Sequence, residues 1–276
     1  MSVAVKEDNN IFRETGTALW VEFQKVKRSK TLWVTAIAFV FIALICGLFM
    51  YILRDPEQAR SLGLLGAKAE IFGGSADWPN LFNLTLVITS IGGLVIFGFI
   101  FVWIFGREFG ERTVYDMLAL PISRFTIVTA KVIIALIWSV VLILFLFVLV
   151  LGVGVALALP GGSAALILNG LKQVVISGLM AAVLCIPFSL VASFTRGYLP
   201  AIGFIFIVLA LTNLLNTLGY TEFFPWAVPL LYSGAAQVLT GKPADPLGPV
   251  SYILAAVVVI ISAIAMGMWW RYADQT

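Results

Sequence analysis

Charged side chains, the residues best suited to chemistry, are sparse in this sequence, and six of them lie in one short segment between two apolar stretches, residues 107–125. The sequence contains no histidine, which excludes Ser-His-Asp catalysis, haem ligation by histidine and most zinc sites. It also contains no Gly-x-x-x-x-Gly-Lys-Ser/Thr loop, so we do not expect it to hydrolyse ATP through such a loop. We therefore predict no catalytic, cofactor-binding or metal-binding residues.

The charged segment 107–125 has two interpretations. It is either a solvated loop whose arginines bind anionic lipid, or a short amphipathic helix with Val114, Leu118 and Pro121 on one face. In the second case Pro121 ends the helix and Ser123 caps the next one. A compact charged helix of this kind is a suitable docking surface for a soluble protein.

Hydroxyl and amide groups inside apolar stretches form a second set of candidates. One set repeats every four residues, a spacing that either packs two helices closely or lines a transport pathway. Another combines a hydroxyl with amides, which need hydrogen-bond partners in hydrocarbon and either bond to a neighbouring helix or face a cavity between two chains. Phenylalanines beside hydroxyls suit an amphipathic or lipid-like substrate better than a bare ion. The candidate pathway residues are Thr85, Thr89, Gly93, Phe97, Thr212, Asn213 and Asn216.

Composition requires that these groups sit in a membrane protein. Of the 276 residues, 61% are hydrophobic and 11% are charged, whereas soluble domains have about 45–50% and about 25%. A bilayer core of about 30 Å needs about 20 apolar helical residues. We predict an all-α fold with six transmembrane helices, at 31–53, 81–106, 126–159, 173–194, 199–219 and 249–270. Pro187 predicts a kink in the fourth span.

The distribution of Lys and Arg predicts the orientation of the six-span domain, residues 31–276. Of the 17 Lys and Arg residues, five lie on the outer side: Arg54, Arg60, Lys68, Lys172 and Lys242. The other twelve lie on the side of both termini, which we therefore predict to be cytoplasmic in the cell membrane. We place Lys131, in the third span, at or below the lipid headgroups.

The segments outside the spans are predicted as follows. Residues 1–30 form a cytoplasmic segment with an interfacial amphipathic helix at 11–28. On the outer side we expect a short surface helix at 56–70, and a turn with a short apolar re-entry at 160–172. Residues 220–248 are too short and Pro-rich to span, so they either rest at the interface or dip into the membrane. The apolar face of the interfacial helix contains Phe12, Thr15, Leu19, Phe23 and Val26.

A family resemblance follows from the motifs around the charged segment. Glu108-Phe109 followed by Thr113, Pro121-Ile122-Ser123-Arg124 and then Lys131 resembles the signature of type-two ATP-binding-cassette (ABC) permeases. The amino-terminal Glu22-Phe23-Gln24-Lys25 and Arg28-Ser29-Lys30-Thr31 are also similar to that family. Among its members, the small permeases of bacitracin and lantibiotic export and immunity resemble this sequence most.

The resemblance implies a non-catalytic permease subunit that exports an amphipathic peptide, an antibiotic or a lipid-like substrate. Two permease chains, with a homodimer expected, would form the pathway in the lipid bilayer, and separate cytoplasmic ABC ATPase subunits would bind the ATP and Mg. The charged segment would be the coupling helix that contacts the ATPase. Its contact residues would be Arg107, Glu108, Glu111, Arg112, Thr113, Pro121 and Arg124, with Arg196 and Gly197 in a second inner loop.

Two alternatives remain at the level of sequence. An ion-coupled secondary carrier is disfavoured because no Asp, Glu, Lys or Arg lies in the middle of a span. A non-transport assembly or immunity platform would bind a partner without moving it. The formal net charge of +3 is too small to indicate a nucleic-acid partner.

Overall fold

The computed structural model is built from helices joined by turns. It describes residues 2–55, 75–111, 113–114, 123–234 and 247–272, with residues 2–13 described by their backbone alone. Two 3-10 turns, Thr221–Phe223 and Pro225–Ala227, precede the short helix Val228–Tyr232. The helices are α1 (Ser2–Lys27), α2 (Lys30–Leu53), α3 (Trp78–Gly110), α4 (Arg124–Ala156), α5 (Ala164–Val183), α6 (Ile186–Phe194), α7 (Leu199–Leu218), α8 (Val228–Tyr232) and α9 (Pro249–Tyr272).

Six helical segments of the described chain are long and apolar enough to cross a membrane: α2, α3, α4, α5 with α6, α7 and α9. The prediction of an all-helical protein with six spans is therefore confirmed. The helices α3 and α4 have 33 residues each, about 50 Å at 1.5 Å per residue. Since the hydrocarbon core is about 30 Å thick, both helices extend beyond it, and α3 extends past both ends of the predicted span 81–106.

The fourth span differs most from its prediction. It begins at Ala164 rather than at residue 173, because Ser163 caps the helix by accepting a hydrogen bond from the Leu166 N–H at 3.2 Å. The turn predicted within 160–172 is present, with Gly161 at φ +82°, but the expected apolar re-entry is the start of α5. The span is interrupted between Val183 and Ile186. Pro187 lies in the first turn of α6, as the predicted kink requires.

The segment after α7, which we predicted to lie on the outer side, packs against the bundle. The Trp226 indole N–H donates to the Leu184 carbonyl oxygen at 2.9 Å, and the Trp226 ring stacks on Phe188 with centroids 6.1 Å apart. The Leu184 carbonyl lies at the interruption of the fourth span, where an acceptor lacks its regular helical partner. The predicted surface helix at 56–70 lies outside the described residues.

Helix α3 forms the centre of the bundle, and it contacts α5, α6, α4, α7 and α2. Phe97, Phe101 and Phe105 are completely buried along it. Close approach depends on glycine at two points. A Cβ on Gly178 of α5 would lie 2.7 Å from Ile143 of α4, and one on Gly98 would lie 2.8 Å from Ile205 of α7.

The amino-terminal helix α1 begins earlier than predicted and packs mainly against α4. It buries Ala18, Glu22 and Val26, while Phe23 of the predicted apolar face is 44% exposed. That this face lies in the membrane interface stays a prediction. The Glu22 carboxylate reaches Lys131 on α4, a contact that the sequence did not predict.

Candidate functional site

Four ionised side chains form a buried cluster at the predicted cytoplasmic end of the bundle. Lys131 donates to Glu108 Oε1 at 2.6 Å and to Glu22 Oε2 at 3.2 Å. Lys25 donates to Glu108 Oε1 at 2.8 Å and to Glu22 Oε1 at 2.6 Å. The side chains of Lys131 and Glu108 are 1% and 3% exposed. The two ammonium groups and two carboxylates balance, and we call Glu22, Lys25, Glu108 and Lys131 the ionic cluster.

Helix geometry brings the ionic cluster together. Because α3 and α4 are connected by residues 111–123, the end of α3 and the start of α4 lie at the same end of the bundle, which places Glu108 beside Lys131. On α1, Glu22 and Lys25 are three residues apart and share a face. A charge buried without a partner is strongly unfavourable, so each helix depends on the other two. Lys131 was expected at or below the lipid headgroups, a depth that stays a prediction. Its ammonium group lies inside the protein, in contact with Glu22 and Glu108.

The surroundings of Lys25 keep its ammonium group charged. Burial alone would lower the pKa of Lys25, but the nearby carboxylates of Glu108 and Glu22 outweigh burial and raise it above the ordinary value for lysine. The second oxygen of the Glu108 carboxylate, Oε2, is buried and accepts no hydrogen bond from the described residues. Among these residues, the carboxylate of Glu108 is therefore hydrogen-bonded by the two ammonium groups alone.

The charged segment begins directly after Glu108. The Thr113 N–H donates to the Glu108 carbonyl at 3.0 Å, which turns the chain at the end of α3, and Val114 is buried. Arg107 forms an ion pair with Glu111 at 3.0 Å and lies over the Trp103 ring at 5.2 Å from its centroid. Glu111 and Thr113 are exposed and Arg107 is half-buried, so all three are accessible at this end.

The other end of the segment is fixed to the last helix. Arg124 donates to the Trp270 carbonyl oxygen at 3.2 Å, close to the carboxyl end of α9, where carbonyl groups lack helical partners and favour a cation. The Trp270 side chain is completely buried and donates to the Ser193 hydroxyl at 3.2 Å. Ser123 occupies the predicted N-cap position of α4, but its side chain forms no capping hydrogen bond.

Some predicted contact residues cannot be placed. Arg112 and Pro121 lie outside the described residues, as does Leu118, so their role in a coupling helix stays a prediction. In the described part of the chain, no group of three or more Cys, Asp or Glu side chains is arranged to hold a metal ion.

The second inner loop lies against the end of α3 through a residue that the sequence did not single out. A Cβ on Gly106 would lie 2.9 Å from the Tyr198 ring, and one on Gly110 would lie 3.1 Å from it. Burial and the Glu111 carboxylate, partly offset by Arg107, raise the pKa of Tyr198. The predicted contact residues Arg196 and Gly197 immediately precede it, and Arg196 is exposed with φ +53°. Glycines four residues apart at the end of a span are the sequence signal for such an aromatic contact.

The first set of pathway candidates is buried within the chain. Thr85 and Thr89 donate to carbonyl groups of α3 at 2.8 Å and 2.7 Å, and a Cβ on Gly93 would contact Ala181 of α5 at 3.5 Å. Thr85, Thr89 and Phe97 are at most 2% exposed, and Gly93 is buried. Gly93 lies against α5, whereas Phe97 stacks on Phe39 of α2 with ring centroids 5.9 Å apart. Of the two alternatives, the structure favours close packing over a pathway for Thr85, Thr89, Gly93 and Phe97.

The second set of candidates, on α7, is divided between two faces. Thr212 is buried and donates to the Val208 carbonyl at 2.8 Å. Asn216 accepts from the Thr221 hydroxyl at 3.4 Å, and its buried Nδ2 has no hydrogen-bond partner. Asn213 is exposed on the bundle surface. An exposed amide on a membrane-spanning helix is unfavourable in contact with lipid, which makes this face of α7 a candidate for contact with another chain or a substrate.

Comparison with known proteins connects this site to transport. Residues 18–213 match the family described as ABC-2 family transporter protein. The chain belongs to this family. It is also 30% identical, over 153 residues, to the bacitracin transport permease protein BCRB of Bacillus licheniformis, an alignment that covers 55% of this chain and 74% of that protein. This ABC-2 protein is thus a multi-pass membrane permease subunit, a class that associates with an ABC ATPase subunit and is generally non-catalytic.

Proposed function

We propose that this chain is the permease of an exporter that moves an amphipathic peptide antibiotic or a lipid-like molecule outward. ATP bound with Mg and hydrolysed by separate cytoplasmic ATPase subunits drives the movement. Two findings support the proposal: membership of the ABC-2 family and the similarity to a permease named for bacitracin transport. The single observation that carries the mechanism is the attachment of both ends of the charged segment to the bundle.

In the proposed mechanism, the ATPase acts on the permease through the segment between α3 and α4. At its start, Glu108 connects α3 to α1 and α4 through the ionic cluster, and at its end Arg124 connects α4 to α9. A displacement of the segment by the ATPase is therefore transmitted to four helices together. Transport follows if the two nucleotide states of the ATPase favour two arrangements of those helices.

The contact residues of the ATPase are the accessible members of the predicted set. Arg107, Glu111 and Thr113 are accessible in the structure, and Arg112 and Pro121 belong to the same proposed surface. Glu108 was predicted as a contact residue. Because its carboxylate is buried in the ionic cluster, we assign it the role of positioning the segment instead.

The proposed assembly contains two copies of the chain, which meet along the exposed face of α7. This face presents Asn213 and Thr217 among Phe206 and Leu214, which are 59% and 53% exposed. Contact with a second copy removes the amide from lipid, where it is unfavourable. The substrate pathway then runs along the α7 helices rather than along the buried stripe of α3.

Charge reversal at Glu111 tests the docking surface. The chain is co-expressed with its ATPase subunit, and the affinity of the purified pair is measured. Glu111→Lys is expected to weaken the association about tenfold, as for a residue contributing strongly to an interface. The control is Glu222→Lys, at the opposite end of the bundle, which should leave the affinity unchanged. Equal affinities for both variants would contradict the docking assignment.

Reconstitution in liposomes tests the energy source. Transport should require the ATPase subunit and ATP, and should persist when ion gradients are collapsed. Movement of substrate by the permease alone along an ion gradient would instead establish a secondary carrier. Binding of substrate without any nucleotide-dependent movement would establish a non-transport platform.

A further inference from the structure

A cavity of about 750 Å³ lies where α1 meets α2, beside the end of α3. Its charged lining consists of Lys25, Arg28, Lys30, Arg107 and Glu111. Positive side chains thus outnumber the single carboxylate. Two indole rings, of Trp20 and Trp103, also line the cavity.

Two of the four cations in this cavity have no ionic partner among the described residues. Lys25 is neutralised within the ionic cluster, and Arg107 is paired with Glu111. Arg28 and Lys30 are exposed and form no ion pair there. The nearby Ser29 hydroxyl donates to the Val26 carbonyl and does not cap α2. The cavity therefore presents two uncompensated positive charges beside the uncapped start of a helix.

The cavity lies at the boundary between the bundle and the headgroup region. Lys30 begins a membrane span, so the cavity is level with one end of the hydrocarbon. Trp20 is 61% exposed, and indole rings are enriched at membrane–water interfaces. On the predicted orientation this is the cytoplasmic interface, whose leaflet carries anionic lipids that attract Lys and Arg.

We propose that this cavity binds the phosphate headgroup of an anionic phospholipid of the cytoplasmic leaflet. Arg28 and Lys30 contact the phosphate, and Trp20 and Trp103 flank the glycerol region. Below the cavity, α2 exposes Trp33, Val34 and Ile37, an apolar surface that the acyl chains cover. A soluble anion would satisfy the cations but leave the indole rings and this surface without a partner. The cavity shares Arg107 and Glu111 with the proposed docking surface, but Arg28 and Lys30, which contact the phosphate, lie outside that surface. The proposal therefore holds or fails independently of transport.

Lipid retention by the purified full-length chain tests the proposal. Native mass spectrometry measures the binding of phosphatidylglycerol and of phosphatidylcholine with the same acyl chains. The double variant Arg28→Gln/Lys30→Gln is expected to bind phosphatidylglycerol about 25-fold more weakly, about fivefold for each cation removed. Its binding of phosphatidylcholine should not change. The matched control is Lys27→Gln/Arg271→Gln, which removes two exposed cations of the same end that do not line the cavity. It should stay within about twofold of the wild type.

Four results would overturn the proposal. Equal losses in the two double variants would mean that the lipid responds only to overall charge. Equal binding of both lipids by the wild type would remove the headgroup preference. Saturation by inorganic phosphate, without preference for either lipid, would identify a site for a soluble anion. Unchanged lipid binding in Arg28→Gln/Lys30→Gln, together with weaker association with the ATPase, would identify a surface for an acidic protein segment. Unfolding midpoints of both variants show whether each is folded.

Discussion

Each charge in the ionic cluster is tolerable only because the others are present. Lys131 is almost completely buried, and its ammonium group has two carboxylates and the Ile104 carbonyl within 3.4 Å. Replacing a whole buried ion pair by apolar groups is often neutral, whereas removing one partner leaves an uncompensated charge and is strongly destabilising. One carboxylate oxygen of Glu108 accepts no hydrogen bond from the described residues, so within them the charge of Glu108 is balanced by the two ammonium groups alone.

Removing two oppositely charged members of the cluster together should therefore cost less than the sum of removing each alone. We expect Lys131→Met to lower the free energy of unfolding by about 3–5 kcal/mol. The double variant Glu108→Gln/Lys131→Met should be less destabilised than the sum of the single variants by about 0.5–3 kcal/mol. Denaturant unfolding in detergent measures both. The control Arg107→Gln breaks the partly exposed pair with Glu111 and should cost about 0–1 kcal/mol; an equal cost for Lys131→Met would contradict the buried cluster.

The raised pKa of Lys25 determines the pH above which the packing of α1 against α4 weakens. Because the pKa is higher in the folded protein, this stabilisation is fully present below the unfolded pKa of about 10.4 and is lost as pH rises through the folded pKa. The distance between spin labels on Gly16→Cys and Thr129→Cys should stay constant between about pH 6 and 9 and increase above about 10.4. Adding Lys25→Met should abolish this alkaline transition. Its persistence in that variant would assign the transition to another group.

At the scale of helices, the bundle relies on close packing at a few points where no side chain fits. Gly154 on α4 faces the Trp78 ring at the start of α3, and a Cβ there would lie 2.6 Å from the ring carbon Cζ3. The Trp78 indole is a rigid ring, so it has no flexible end that could move away from an added Cβ. Gly152, on the same helix, has open space at its Cβ position and provides a matched comparison.

Alanine at these two glycines should have opposite effects. Gly154→Ala is expected to destabilise the protein by about 1–3 kcal/mol through overpacking against Trp78. Gly152→Ala should be neutral or stabilising by up to about 1 kcal/mol, since alanine favours the helix. Thermal unfolding followed by helical circular dichroism compares the two variants. A loss of stability in Gly152→Ala as large as in Gly154→Ala would contradict the specific contact.

The sequence predicts the positions of the helices more completely than the faces through which they pack against the bundle. Hydropathy identifies all six spans because each must bury its own backbone in lipid, and Pro187 marks the interrupted one because proline cannot continue a helix. The start of α5 was misplaced because Asn169 and Lys172 are polar, although both are exposed on the helix. The packing of α1 against α4 through Glu22 was not predicted, because Glu22 finds its partner 109 residues away. No local pattern contains such a pairing, and a glutamate on a buried face contradicts the simple amphipathic rule.

At the scale of the whole molecule, the exposed surface of the bundle supports the proposed position of a second copy. The helices α2, α7 and α9 are the least buried spans of the described chain, and most of their exposed residues are apolar, as contact with lipid requires. The exposed face of α7 differs because it carries Asn213 and Thr217. Both native cysteines, Cys46 and Cys185, are buried, so a cysteine introduced on the surface can be studied without interference.

Disulfide cross-linking tests the proposed assembly. Asn213→Cys is expected to form a covalent homodimer on mild oxidation in membranes, because two α7 helices facing each other bring the thiols within bonding distance. The control Ile261→Cys lies on α9 with 60% exposure and should remain monomeric. Cross-linking at position 261 but not at 213 would place the contact on α9 and contradict the proposed pathway.

The interruption of the fourth span divides it into two helices, α5 and α6, that meet at a bend. Helices α5 and α6 are separate pieces, and the Leu184 carbonyl between them accepts from Trp226 of the outer segment. Further along, α6 buries Ser193, which accepts from Trp270 near the Arg124 contact. In the proposed mechanism, these contacts would connect a displacement of the charged segment to the opposite end of the bundle, where it would change the angle between α5 and α6. A straight, uninterrupted helix in this position would transmit only a rigid tilt.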